Sequence, residues 1–125
     1  MTLALVLPVC LAGGLGAVLR LVLDGLIRDR VLTGFPVATL LINVSGSLLL
    51  GLLVGLTMGQ VLPKPYEIVA GTGFLGGYTT FSSASFETVR LLEERRYRAA
   101  LVNGLGMLVL SVGAAAGGLA VGLGA

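Results

Sequence analysis

The groups able to do chemistry concentrate in one stretch. Residues 71–87 read Gly71-Thr72-Gly73-Phe74-Leu75-Gly76-Gly77-Tyr78-Thr79-Thr80-Phe81-Ser82-Ser83-Ala84-Ser85-Phe86-Glu87, too rich in glycine and hydroxyls for a simple lipid-facing helix. A glycine pair followed by two threonines favours a helix break, which frees backbone carbonyls and amides. Transport proteins bind ions at such breaks, and irregular backbone survives inside a membrane only where protein or water covers it. The pattern supports an ion site, with a plain packing kink as the rival reading. Upstream, Thr39, Asn43 and Ser47 recur at i, i+4 and i+8 and share one helix face. A lone Ser or Thr in a helix bonds its own backbone, whereas the Asn43 amide needs water or a partner, for which a helix-to-helix hydrogen bond would serve. Arg20 and Asp24 stand one turn apart, the spacing of an i,i+4 ion pair with the arginine reaching toward headgroups. Histidine is absent, Cys10 is the single cysteine, and no acidic pair falls within an apolar run. Neither a transition-metal site nor hydrolytic chemistry is therefore supported, and nothing suggests an enzyme. Cys10 reads as a small apolar helix residue. The donors that remain are an amide, hydroxyls, aromatic ring edges and one arginine, all of which present positive charge to an anion.

The elements that must position these residues follow from composition. Of 125 residues, 56% are hydrophobic and 11% charged, against about 25% charged in soluble domains. Twenty glycines and a mean hydropathy of +1.04 point the same way. A net charge of +2 is too small for a nucleic-acid surface, so no nucleic acid is expected as partner. The apolar run from Leu3 to Leu19 lacks preceding basic residues and is longer than a signal core, so it reads as a mature membrane helix. Charges and Pro/Gly punctuation divide residues 1–125, taken as one domain, into spans at about 3–27, 37–58, 66–92 and 99–123. Each is near the roughly 20 residues that cross a bilayer. The expectation is an all-α protein of four transmembrane helices, the third broken at mid-membrane. Small-residue spacing at Gly51, Gly55 and Gly59, at Gly113 and Gly117, and at Gly118 and Gly122 favours close helix packing. Four thin helices enclose little interior, so an oligomer is expected. Arg28, Arg30, Arg90, Arg95, Arg96 and Arg98 fall on one side and Lys64 on the other. The arginine-rich side is then cytoplasmic, with both termini outside.

Along its whole length the chain closely resembles the Fluc (CrcB) fluoride-channel family. The resemblance runs through Gly13-Gly14-Leu15-Gly16-Ala17 followed by Arg20, through Pro36, Thr39, Asn43 and Gly46, and through Gly76-Gly77-Tyr78-Thr79-Thr80-Phe81-Ser82 with Glu87. It implies a plasma-membrane channel for passive fluoride efflux, built as an antiparallel dimer whose two subunits line two narrow pathways. It also implies a central structural sodium ion (Na+) held by the backbone carbonyls of Gly76 and Thr79. Carried over by motif, Asn43 gives its amide to the pathway and Phe81 its ring edge. Thr39, Ser82, Ser83 and Ser111 join the polar track, and Arg20 lies in the vestibule. Two positions depart from the family pattern. Ala84 stands where a second pore phenylalanine is usual, and Phe86 is just over half a turn away. Met107 stands near the place of a tyrosine. The dimer partner is either a second copy or a related subunit of opposite orientation. The charge bias and Ala84 favour the related subunit. Two other classes remain as alternatives: a proton-coupled small multidrug transporter, which needs a carboxylate early in the first span, and a non-conducting assembly subunit.

Overall fold

Two long apolar helices open the chain. The computed structural model describes residues 2–125, and among these there is no strand. Helix α1 spans Leu3–Arg30 and carries Arg28 and Arg30 in its last turn, where cations favour the helix dipole. It ends as Val31 turns extended. Helix α2, Val37–Met58, begins directly after Pro36, whose ring cannot continue a preceding helix. Its buried positions Ala38, Thr39, Ile42, Gly46, Gly51 and Gly55 form one stripe at roughly four-residue spacing.

The third apolar segment is two helices. Helix α3 joins three uninterrupted pieces: α-helical Lys64–Glu67, π-helical Ile68–Leu75 and α-helical Gly76–Tyr78. Thr79 and Thr80 are extended, and helix α4 resumes over Phe81–Glu93. Ser83 donates its N–H to the Thr80 hydroxyl at 3.1 Å, an N-cap that satisfies one of the orphan donors of the restarted helix. Helix α5, Tyr97–Gly124, contains a π-helical segment at Val102–Gly106. By length and composition α1, α2 and α5 are each able to cross a membrane.

The break thus falls on the threonines, while Gly76 and Gly77 remain helical. The glycines serve close approach instead. A Cβ on Gly77 would overlap the carbonyl oxygen of Gly13, and one on Gly16 would overlap that of Phe74, so α1 and α3 meet backbone to backbone. The same device joins α2 to α5, its main packing partner. Added Cβ atoms at Gly51 and Gly55 would meet the carbonyls of Ala115 and Leu119, and those at Gly118 and Gly122 the carbonyls of Leu48 and Leu52. Of the small-residue pairs in the sequence, Gly113 and Gly117 alone face open space at both positions.

A small core of Ile42, Leu75 and Tyr78 lies beside the break, flanked by Leu23, Leu53 and Phe74. Outward, α1 and α5 expose rows of large apolar side chains, among them Leu7, Leu11, Leu15, Leu108 and Val112. Such a surface belongs against lipid or another apolar partner. At the arginine-rich end, an Arg96 guanidinium N–H reaches the Gly34 carbonyl and ties the α1–α2 turn to the α4–α5 turn.

Candidate ion pathway

The broken helix is held open by one side chain. Asn43, on α2, donates Nδ2–H to the Thr80 carbonyl at 2.8 Å and accepts the Thr80 N–H on Oδ1 at 2.8 Å. Both backbone groups of Thr80 are thereby satisfied. The remaining Nδ2–H goes to the thioether sulfur of Met107 at 3.1 Å, a weak acceptor.

Diverting the ladder has a second effect. In an unbroken helix the Thr80 N–H would serve the Gly76 carbonyl and the Ser83 N–H that of Thr79. Here those donors go to Asn43 and to the Thr80 hydroxyl. The Gly76 and Thr79 carbonyl oxygens, three residues apart, lose those partners, and backbone carbonyls are the donor type that fits a hard cation such as sodium. Among the described residues no cluster of His, Cys, Asp or Glu competes for that role. The Gly77 carbonyl faces Arg20 instead, whose Nε lies 3.5 Å away.

Beside the break a groove of about 780 Å³ opens between α2, α3, α4 and α5. Its walls include Asn43, Gly76, Thr79, Phe81 and Ser111, together with Ser47, Thr72, Ser85, Thr88, Asn103 and Met107. The structure therefore brings together five of the residues singled out in sequence. Phe81 projects from the wall with 87% of its surface exposed. The Ser111 hydroxyl is buried without a hydrogen-bond partner.

Four other residues singled out in sequence lie elsewhere. Ser82 is exposed beside the break, its hydroxyl 3.2 Å from that of Thr80. Ser83 is engaged by its backbone in the cap. Thr39 is buried and donates its hydroxyl to Glu87 Oε1 at 2.6 Å. Arg20 lies behind the break, against α3. The i,i+4 pair between Arg20 and Asp24 is not formed: Asp24 accepts from Arg28 at 2.8 Å, and Arg28 also reaches Glu87 Oε1 at 3.1 Å.

Asn103 escaped the sequence reading. It is fully buried, and its Nδ2 donates to the Thr88 hydroxyl at 2.8 Å and toward the Ala84 carbonyl at 3.4 Å. Its Oδ1 has no partner. An asparagine inside an apolar span was the available signal, since such a group is costly there unless paired or hydrated. It lies in the π-helical segment of α5, and such segments frequently mark functional sites.

Residues 7–119 match the family described as CrcB-like protein, Camphor Resistance (CrcB). The chain belongs to this family. It is 56% identical to fluoride-specific ion channel FluC 1 of Leifsonia xyli subsp. xyli, across 98% of this chain and 89% of that protein. Fluoride-specific ion channel FluC 2 of Mycolicibacterium paratuberculosis is 49% identical, across 92% of this chain and 90% of its own. A more distant CrcB-family relative is the fluoride-specific ion channel FluC of Thermococcus kodakarensis, 40% identical across 90% of both chains.

Proposed function

We propose that the chain is one subunit of a fluoride channel through which fluoride leaves the cytoplasm passively, down its own gradient. The observation that carries this reading is the 56% identity, across 98% of the chain, to a protein named as a fluoride-specific ion channel. The protein is not an enzyme. The transporter alternative finds no support in α1, whose carboxylates Asp24 and Asp29 both stand near its C-terminal end, Asp24 already paired with Arg28.

In this reading α3 and α4 together make a fourth crossing, with Thr79 and Thr80 near the bilayer midplane. The arginine-rich end faces the cytoplasm of a plasma-membrane protein, and both termini face outward. A second subunit in the opposite orientation closes the open groove and covers Phe81, so that two subunits line two pathways. Fluoride is strongly hydrated and sheds its water only where other dipoles replace the shell. Asn43, the ring edge of Phe81 and the unpartnered Ser111 hydroxyl supply such dipoles. Ser82, Ser83 and Thr39 flank them, and Arg20 adds positive charge behind the break. A sodium ion held by the Gly76 and Thr79 carbonyls would supply positive charge balancing the carbonyl dipoles where the subunits meet.

Fluoride efflux from proteoliposomes holding the purified chain, with chloride as control, tests the reading. Fluoride release without chloride release is expected. A folded protein that releases neither ion, alone or with a related subunit, would make it a non-conducting assembly subunit and sink the proposal.

A further inference from the structure

The Asn43 carboxamide, with two N–H donors and two oxygen lone pairs, is pinned through one donor and its oxygen by the Thr80 peptide, at 2.8 Å each. It cannot rotate without breaking both bonds, so its second N–H points at one fixed spot. Met107 Sδ occupies that spot at 3.1 Å. A thioether accepts hydrogen bonds weakly, so this part-buried N–H is poorly satisfied, and any stronger acceptor admitted to the spot would be preferred. Met107 is also the side chain best able to yield the place. It is unbranched, with three rotatable bonds, and although buried at 6% exposure it also lines the wall of the groove. The π-helical segment with Gly104 and Gly106 ends just before it, and neither glycine has a neighbour within 3.4 Å of its Cβ position.

Resting on the fluoride-channel reading, we propose that Met107 is a displaceable plug. Its sulfur holds the fluoride position on Asn43 while no ion is present, and its side chain swings aside when fluoride takes the N–H. The exchange is favourable in one direction only for a small, strong acceptor: fluoride gains a charge-assisted hydrogen bond. Chloride is larger and accepts less strongly, so it gains less for the same displacement. Met107 thereby contributes to selectivity as well as to closure.

The ordinary role of a buried methionine is to fill space, and substitutions separate the two roles. Met107→Ile nearly conserves volume but is stiff at χ1. A plug that cannot swing should lower fluoride efflux by about tenfold, the effect of forcing a side chain off its rotamer. Met107→Ala should keep fluoride efflux at or above the parent rate and admit measurable chloride. A space-filler gives the reverse order, with Met107→Ile close to the parent and Met107→Ala impaired. That order, or equal rates in all three, overturns the proposal. A second measurement is independent of flux and of the variants' folding. With methyl-labelled methionine, the chain gives signals from Met1, Met58 and Met107, and fluoride titration should shift the Met107 methyl while chloride does not. An unmoved methyl overturns the plug. If the parent chain passes no fluoride, alone or with a related subunit, the channel reading falls and the titration alone decides whether the sulfur yields to the ion.

Discussion

In Asn43 a structural role and the proposed transport role fall on one side chain. Two of its hydrogen bonds stabilise the break and the third is held in reserve by a weak acceptor. Asn43→Asp keeps the shape but removes both N–H donors and sets a carboxylate against the Thr80 carbonyl. Fluoride flux should fall about a hundredfold, the equivalent of the roughly 3 kcal/mol at the upper end for a lost hydrogen bond to a charged group. Flux per folded channel, measured beside a size-exclusion profile, checks this, and an unchanged rate would remove Asn43 from the pathway. The sequence made Asn43 visible because an amide in an apolar span needs a partner. It did not show which partner. Asp24 was equally ambiguous, with Arg20 four residues before it and Arg28 four after. The structure chooses Arg28, in the order that places the acid N-terminal to the base, which is the more favourable of the two on a helix. Arg20 is free to turn toward the C-terminal end of α3, where a cation meets exposed carbonyls. Thr39 was legible as polar and on the Asn43 face, but its bond to Glu87 spans 48 residues of chain, a relation no local periodicity encodes.

The third apolar segment carried two overlapping signals at the scale of elements. Glycine pairs mark both breaks and close helix contacts, and sequence alone does not separate these uses. Gly76 and Gly77 are adjacent and yet differ: a Cβ on Gly76 meets nothing nearer than 3.9 Å, whereas one on Gly77 overlaps the Gly13 carbonyl. Gly77→Ala should force α1 and α3 apart and destabilise the protein by about 1–3 kcal/mol, as overpacking does, while Gly76→Ala should leave helix packing within the subunit intact. Thermal unfolding in detergent would show the contrast, and equal midpoints for the two variants would contradict the packing described for α1. The π-helical stretches were not legible, because they depend on how α3 and α5 adjust their turns to neighbours. The long runs of α1 and α2, by contrast, were read closely from apolar content and from Pro36 and Gly59.

Across the described residues, large apolar side chains cover the outer surface, while Thr39, Glu87 and Asn103 are buried among apolar residues such as Ile42, Leu75 and Tyr78. Six arginines gather at one end and Lys64 at the other, paired there with Glu67 at 3.1 Å. Positive charge so one-sided should insert the chain chiefly one way. Reporter fusions at either terminus should therefore signal from outside the cell. The chain expressed alone should restore fluoride resistance poorly, and a related subunit of opposite charge bias should complete it. Equal signals from both faces of the membrane, or full resistance from this chain alone, would show that a second copy suffices.

The contact between α2 and α5 carries a further consequence, for biogenesis. Gly51 and Gly55 rest on backbone atoms contributed by residues 115–123, a segment synthesised after α2, α3 and α4. Until that segment arrives, the small-residue face of α2 and the hydroxyl-lined break stand without the wall that shields them. A nascent chain stalled at the α4–α5 turn thus offers unpaired polar groups to lipid. The insertion machinery must shelter the half-built groove until α5 docks against α2.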